Sequence, residues 1–280
     1  CDPAHYLPLA QALESNGWDF SYVPDSICYP REANDDYPYN EDGTRAFLDG
    51  KPFLEPFSLV PAMAALTRRL EFCTDVLKVP IRQPVLLAKS VTTVAVMTGG
   101  RFRLGAGLSP WPEDFAATGT DWRSRGARLD QMIEILRGLM KGEYFEYHSE
   151  HYDIPALKLC PVPARPVPIL IGGHSLPALR RAARLGDGWI AAGNDLDELA
   201  NLLRSLRGLL RDAGRTEAGF ELHLMPPMDA HDLDTARRLR DLGATHAILS
   251  PRNPYVEGDR PLAAKLDFVK RYADEVIAKL

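Results

Sequence analysis

A chain of 280 residues that is 45% hydrophobic and 25% charged has the composition of a folded globular protein, which excludes the disordered and fibrous classes. Its net charge of −5 and its scattered basic residues argue against a nucleic-acid-binding protein, which needs a basic surface to displace counterions from phosphates. No apolar run reaches the ~18–20 residues that span a bilayer, no signal peptide opens the chain, and the four cysteines lack paired spacing. We therefore expect a soluble, cytoplasmic protein with reduced thiols.

Short apolar segments alternate with amphipathic helical patterns along the chain. A helical pattern over residues 7–16 comes first, and seven strand-like segments follow it. Each segment is bounded by Gly, Pro or Asp, as expected for strands that are buried on both faces of a parallel sheet. The seven segments are residues 18–24, 71–77, 102–108, 168–172, 188–192, 220–225 and 246–250.

Helical periodicity fills the intervals between these strands. Gly99 and Gly100, after Met97, indicate the end of one helix, and further helices follow Asp195 and begin near Leu262. The clearest apolar stripe on a helix consists of Leu129, Met132, Ile133, Leu136 and Met140.

This alternation predicts an α/β fold with a parallel sheet wrapped by helices. Seven strands preceded by a helix favour a parallel (β/α)8 TIM barrel over an open sheet, formed as a single domain over residues 1–280 with its site at the carboxyl ends of the strands. The eighth strand would fall before Cys1, so we expect a first strand upstream of the sequence as it stands.

Two intervals are too long to be simple connections. Residues 28–57 follow the first visible strand and carry seven acidic residues against three basic ones, so they form either a lid over the site or a solvated acidic loop. Residues 142–168 contain alternating aromatic residues and then several prolines, which predicts an inserted β-hairpin followed by an extended connection.

Two glycine-containing strand ends are candidate binding elements. Gly105, Ala106 and Gly107 either let a flat ligand approach the backbone or serve tight packing inside the barrel. They are followed by Pro110 and Pro112 rather than by the start of a helix, so they do not form a dinucleotide-binding motif.

The second such end precedes a helix over residues 179–185. Gly172 and Gly173 end the strand, and His174 and Ser175 lead into the helix, whose free N–H groups and dipole suit a phosphate. An ordinary strand-to-helix turn capped by Ser175 is the alternative.

Three blocks together resemble the luciferase-like monooxygenase superfamily, and most closely its branch that uses the deazaflavin coenzyme F420. They are Gly100-Arg-Phe-Arg-Leu-Gly-Ala-Gly, then Arg125-Gly-Ala-Arg-Leu-Asp-Gln-Met-Ile-Glu-Ile-Leu-Arg, and Pro168-Ile-Leu-Ile-Gly-Gly-His-Ser with its following helix. The resemblance runs from about Leu7 to Ser250.

The resemblance implies an eight-stranded barrel and specific site residues. A non-prolyl cis peptide is implied between Asp75 and Val76, forming a bulge behind the middle ring of the cofactor. Gly173, His174 and Ser175 match the phosphate-binding turn of the family, and Arg125 matches an arginine that helps to neutralise this phosphate in flavin-using relatives. Asp25 matches the first residue of an Asp-His pair, and a homodimer is implied as well.

The sequence departs from the family pattern at three positions. Ser26 replaces the histidine of the Asp-His pair, and Glu113 is the nearest carboxylate where some relatives that oxidise sugar phosphates have an acid. Ala106 stands where some flavin-using members have an arginine, which favours deazaflavin over FMN. We therefore take Asp25, Ser26 and Glu113 as the candidate catalytic residues, and we expect a small organic substrate other than a sugar phosphate.

The remaining histidines do not predict a metal site. His148 and His151 lie in the predicted hairpin without a third ligand at suitable spacing, and His223 and His246 lie in apolar strands, where core histidines are expected. We expect hydride transfer with coenzyme F420, with two alternatives: an FMN-dependent monooxygenase supplied by a partner reductase, and a non-catalytic protein that binds F420 or flavin.

Overall fold

A computed structural model describes residues 2–32, 37, 43–192, 195–255 and 257–280. Its strands, in chain order, are β1 Phe20–Val23, β2 Glu71–Thr74, β3 Leu77–Lys78, β4 Phe102–Gly107, β5 Phe145–His148, β6 Asp153–Leu157, β7 Ile169–Gly172, β8 Gly188–Ala191, β9 Glu221–Leu224 and β10 His246–Ala247. Its helices are α1 Tyr6–Ser15, α2 Pro56–Ala65, α3 Pro84–Met97, α4 Pro112–Ala117, α5 Arg125–Leu139, α6 Leu176–Leu185, α7 Leu196–Asp212, α8 Leu233–Asp241 and α9 Leu262–Glu275.

The main sheet is parallel and curled, with the strand order β1-β2-β4-β7-β8-β9-β10. This order follows the chain, since each of these strands pairs with the next of the seven along the sequence. Helices cover the outer face of the sheet. A strand of this sheet forms within each of the seven predicted segments, which confirms the α/β fold of the barrel type. The prediction of one strand over residues 71–77 is wrong in detail, because the backbone turns at residues 75 and 76 and leaves two strands, β2 and β3.

The two edges of this sheet are the strands β1 and β10. Neither has a second strand partner among the described residues, and both line an apolar cleft of about 530 Å³ together with α1 and α9. The predicted strand before Cys1 lies outside the described residues and stays a prediction.

Helices pack on the sheet through the apolar stripes that the sequence indicates. All five stripe residues of the α5 region are buried, and α3 ends at Met97 with Gly99 and Gly100 at positive φ, as predicted. The predicted hairpin is also present: β5 and β6 pair antiparallel. Phe145 of the hairpin covers Gly138 of α5 so closely that a Cβ there would lie 2.2 Å from its ring. Among the described residues, none of the helices is both long and apolar enough to span a membrane.

The amino-terminal end of the barrel interior contains a charged network. Arg103 of β4 pairs with Glu71, the first residue of β2. It also pairs with Glu221, the first residue of β9, and Arg103 Nε lies 2.7 Å from Glu221 Oε2. His223 donates from Nε2 to Glu221 (2.8 Å) and accepts at Nδ1 from the Tyr22 hydroxyl (2.8 Å). His223 is therefore a satisfied core histidine, as predicted, and its ring is fully buried.

Acid should destabilise this end of the barrel through His246, because burial and the neighbouring His223 lower the pKa of His246 to about 4. Between the ordinary histidine value near 6.5 and that pKa, the unfolded chain binds a proton that the folded chain does not. The free energy of unfolding should therefore fall as the pH is lowered through this window.

We expect His246→Asn to reduce the proton uptake on unfolding by up to about one proton, measured from urea unfolding between about pH 7 and pH 4.5. His151→Asn, in the hairpin turn, is the control. An unchanged pH dependence in His246→Asn would assign the effect to other groups.

Candidate active site

The candidate site lies at the carboxyl ends of β1, β2, β4 and β7. Here the peptide bond between Asp75 and Val76 is cis, as the sequence resemblance implied. The Asp75 backbone N–H donates to the Val23 carbonyl (2.9 Å), and the Thr74 hydroxyl donates to the Gly105 carbonyl (2.8 Å). These bonds attach the turn between β2 and β3 to the strands on both sides.

The side chain of Val76 lies between the ends of β4 and β7. A Cβ at Gly107 would lie 2.5 Å from Val76 Cγ2, and a Cβ at Gly172 would lie 2.8 Å from Val76 Cγ1. At Gly105 a Cβ would lie 1.8 Å from the Thr74 carbonyl oxygen. Of the two interpretations of these glycines, the contacts favour tight packing: the small residues make room for the bulge. Direct contact of Gly105, Ala106 or Gly107 with a ligand stays a prediction.

The turn after β7 leads directly into α6. Gly173 has φ +113°, and Ser175 caps the helix by accepting the Ala178 N–H (3.4 Å). His174 accepts the Ala192 N–H at Nε2 (3.0 Å), and burial lowers its pKa, so its ring is neutral near pH 7. A cationic His174 is thus not favoured, and the anion-binding capacity of this turn rests on backbone N–H groups and the helix dipole.

Arg125 begins α5. Its guanidinium lies over the Trp122 ring, 3.8 Å from the ring centroid, and donates to the Trp122 carbonyl (2.9 Å). Arg181 of α6 donates to the Gly126 carbonyl (3.1 Å), which holds the start of α5 beside α6. Arg125 therefore lies next to the helix that carries the turn, while its contact with a phosphate stays a prediction.

Asp25 follows β1 and is almost fully buried. Its Oδ2 pairs with Arg82 Nη1 (2.9 Å) and accepts the Lys78 backbone N–H (2.9 Å), and its Oδ1 accepts from Arg82 Nη2 (3.0 Å). These contacts favour a positioning role, since both carboxylate oxygens already have partners. Ser26 lies beside it and is half-buried. The catalytic roles proposed for both residues stay predictions.

Glu113 lies in the first turn of α4, beside a buried acid that sequence reasoning missed. Glu113 pairs with Arg45 (3.7 Å). Asp114 is fully buried, accepts from Lys78 Nζ and from the Ser109 hydroxyl (both 2.6 Å), and lies 3.5 Å from Arg45 Nη2. The expectation that no helix starts after Pro110 was wrong, because Pro112 occupies the first position of α4, where a missing N–H is tolerated.

The described part of residues 28–57 covers the mouth of the barrel. Arg45 is buried, and its guanidinium lies over the Trp111 ring, 4.3 Å from the ring centroid. Tyr37 also stacks on the Trp111 ring, with 4.8 Å between the ring centroids. Tyr255, after β10, contacts Phe47 at 5.0 Å between ring centroids. These contacts favour the lid interpretation over a solvated loop. Residues 33–36 and 38–42, with four of the seven acids, lie outside the described residues.

One cluster in the described residues brings possible metal ligands together. Ligand atoms of Glu221, His223 and His246 lie within 4.8 Å of one another. The two imidazole rings stack at 4.2 Å and 29°, so their lone pairs run side by side instead of converging. Arg103 donates to both oxygens of Glu221. These contacts favour a hydrogen-bonded network over a metal site.

Comparisons with known proteins point to one family. A family model described as luciferase-like monooxygenase matches residues 2–255. An uncharacterized protein of Mycobacterium tuberculosis is 47% identical over 281 residues, covering 100% of this chain and 96% of the relative. An F420-dependent glucose-6-phosphate dehydrogenase of Nakamurella multipartita is 29% identical, covering 85% of this chain and 67% of the relative.

Two solved structures share the fold. The monooxygenase RslO1 from Streptomyces bottropensis has a TM-score of 0.75 at 17% identity and covers 99% of this chain and 93% of its own. An F420-dependent secondary alcohol dehydrogenase in complex with an F420-acetone adduct also has a TM-score of 0.75, at 15% identity, with coverage of 97% and 94%.

The contact between Val76 and Gly107 predicts a compensating pair of substitutions. Gly107→Ala should destabilise the protein by about 1–3 kcal/mol, because the added methyl overlaps a short β-branched side chain. Val76→Ala removes the overlapping atoms, so the double variant should be less destabilised than the sum of the two single variants. Urea unfolding of all four proteins measures this, with Gly208→Ala in α7 as the control without overlap. Additive effects would contradict the packing argument.

Proposed function

Since this chain belongs to the luciferase-like monooxygenase family, we propose that it is an oxidoreductase that binds coenzyme F420 and transfers a hydride between this deazaflavin and a small organic substrate. The observation that carries the proposal is the combined arrangement at the barrel mouth. The bulge of Val76, the turn of Gly173 to Ser175 and a covering aromatic segment lie at the ends of neighbouring parallel strands, where barrel enzymes have their active sites.

The residues present fit a planar cofactor with a phosphate group. Val76 offers an apolar surface at the ends of β4 and β7 against which a flat ring can rest. The first turn of α6, a helix of ten residues, directs its dipole and backbone N–H groups toward the same end of the barrel. Arg125, next in the chain to Gly126, whose carbonyl accepts from Arg181 of α6, would add positive charge. The positive φ of Gly173 lets the backbone turn closely at this point.

Bound deazaflavin would supply a carbon that accepts or donates a hydride. The protein's own part is to orient the ring, hold the phosphate and exclude water. Tyr37, Phe47, Trp111 and Tyr255 form an aromatic cover over the mouth, and Arg45 connects this cover to Asp114. Exclusion of water by such a cover strengthens electrostatic interactions inside the site and protects the transferred hydride.

An FMN-dependent monooxygenase that receives reduced flavin from a partner reductase is the second candidate, and the fold it shares with RslO1 supports it. Ala106, fully buried, stands where some flavin-using members have an arginine, which favours deazaflavin. A non-catalytic binding protein is the third alternative, and turnover of the cofactor with any electron donor or acceptor would eliminate it. We further propose that the chain acts as one domain over residues 1–280, as a homodimer and in the cytoplasm.

Titration of the purified protein with each cofactor tests the proposal. We expect coenzyme F420 to bind at least about tenfold more tightly than FMN, a difference of about 1.4 kcal/mol, measured by quenching of cofactor fluorescence. Saturable binding of FMN without binding of F420 would overturn the deazaflavin assignment in favour of the second candidate.

Ser175→Asp tests the phosphate turn while it preserves the helix cap, because aspartate caps helices as well as serine does. The new carboxylate should repel the cofactor phosphate and weaken F420 binding by about tenfold or more. Binding of the corresponding deazariboflavin, which keeps the ring and the ribityl chain but lacks the phosphate, should stay unchanged and is the matched control. Equal loss for both ligands would mean that the substitution disturbs the ring site, and no loss for either would place the phosphate elsewhere.

A further inference from the structure

Asp75 lies at the centre of the candidate site. It follows β2 directly and precedes Val76, and its backbone N–H is bonded to Val23 at the end of β1. The residue as a whole is half-buried at the carboxyl end of β2. Among the described residues, no hydrogen bond or ion pair engages its carboxyl group.

The other acids at this end of the barrel have cationic partners. Asp25 pairs with Arg82, Glu113 pairs with Arg45, and Asp114 pairs with Lys78. Such pairs hold loops in place and compensate the charge of a buried carboxylate. Asp75 has no such compensation, so its carboxyl group has no evident structural task that would explain an acid at this position.

Three titratable groups lie close enough to Asp75 for its charge to raise their pKa values. They are Tyr22 of β1, Cys73 of β2 and Tyr255, after β10. Burial raises the pKa of each of these groups, so all three are neutral near pH 7. Burial also raises the pKa of Asp75 to about 6, with no described cation to offset it.

We propose that Asp75 is a proton-binding residue of the cofactor site, which takes up a proton when a planar deazaflavin or flavin covers the barrel mouth. The inference rests on the proposed function. A cofactor that rests on Val76 removes water from the adjacent carboxyl group, and its phosphate adds negative charge to the site. Both effects favour the neutral acid over the carboxylate.

The stored proton has a use in the reaction. When a carbonyl substrate is reduced, the hydride adds to its carbon, the π electrons of the C=O bond move to oxygen, and that oxygen takes the proton from the Asp75 carboxylic acid. With the reduced cofactor counted as its N1-deprotonated monoanion, the products are an alcohol, the neutral oxidised cofactor and the Asp75 carboxylate, so atoms and charge balance; a reduced cofactor that still holds its N1 proton would release that proton to solvent. In the opposite direction only the fraction of the complex that holds Asp75 as the carboxylate accepts the hydroxyl proton as the hydride leaves, so oxidation of the alcohol is favoured at higher pH. Asp75 is then an acid and base at the site, a role the sequence had assigned to Asp25, Ser26 or Glu113.

Proton uptake on cofactor binding tests the proposal without any substrate. We would titrate wild type and Asp75→Asn with coenzyme F420, and separately with FMN, by calorimetry at about pH 7 in HEPES and in Tris, whose ionisation enthalpies differ and which do not offer a competing phosphate. The protons that the ligand itself gains or loses contribute equally to both proteins and cancel in the difference. We expect wild type to take up about 0.5–0.9 proton more than Asp75→Asn. Asp153→Asn, on the exposed hairpin, should behave as wild type.

The pH dependence of affinity is the second readout. The ratio of the affinity of wild type for F420 to that of Asp75→Asn should fall as the pH rises from about 6 to 8. The total fall should be tenfold for each unit by which cofactor binding raises the pKa of Asp75. The two affinities should converge below about pH 5, where both side chains are neutral. Fluorescence quenching at each pH measures the ratio.

The outcomes separate the two levels of the proposal. Equal proton uptake and a constant affinity ratio, with F420 or FMN still bound, would overturn the role of Asp75 and leave the proposed function standing. Absence of binding of both cofactors to wild type would overturn the proposed function and the role of Asp75 together. If Asp75→Asn does not fold, as judged by circular dichroism, Asp75→Ser replaces it, since serine also lacks a titratable carboxyl group and the same loss of uptake is expected.

Discussion

The contact of Val76 with the glycines of β4 and β7 is the constraint on which the barrel mouth depends. Three strand ends meet there, and the two methyl groups of Val76 occupy space that a Cβ at Gly107 or Gly172 would need. Because interiors are packed at nearly crystalline density, such a position tolerates little change in volume. The bulge therefore sets how closely the strands approach, and it determines the surface that faces a ligand.

Charged groups occupy both ends of the barrel, and they do different work at each end. At the amino-terminal end, Arg103 joins Glu71 and Glu221 into one network, so the charges are satisfied internally. At the mouth, Lys78 and Arg45 converge on the buried Asp114, which ties the covering segment to α4. Compensated acids of this kind stabilise geometry, whereas an acid without a cationic partner is available to exchange protons.

Several site features were accessible from local sequence because they depend on residues that are adjacent in the chain. The turn of Gly172 to Ser175 ends a strand and caps a helix, and both tasks are performed within a few residues. Asp114, by contrast, acquires its meaning from Lys78 and Arg45, which lie 36 and 69 residues away in the sequence. No periodicity or spacing connects such residues, so only the fold brings them together.

The sequence by itself determined the strand-and-helix alternation, the seven parallel strands and the position of the cis peptide, since each follows from local hydrophobic patterning or from family-specific motifs. The tertiary structure decided which acids are engaged. Asp25 looks like a free catalytic carboxylate in the sequence, yet Arg82 and the Lys78 backbone hold it. Asp75 was singled out in the sequence only for its cis peptide bond, yet its carboxyl group has no cationic partner among the described residues. The reason is physical: the charge state of a carboxyl group depends on its burial and on its partners in space, and neither is encoded in the neighbouring residues.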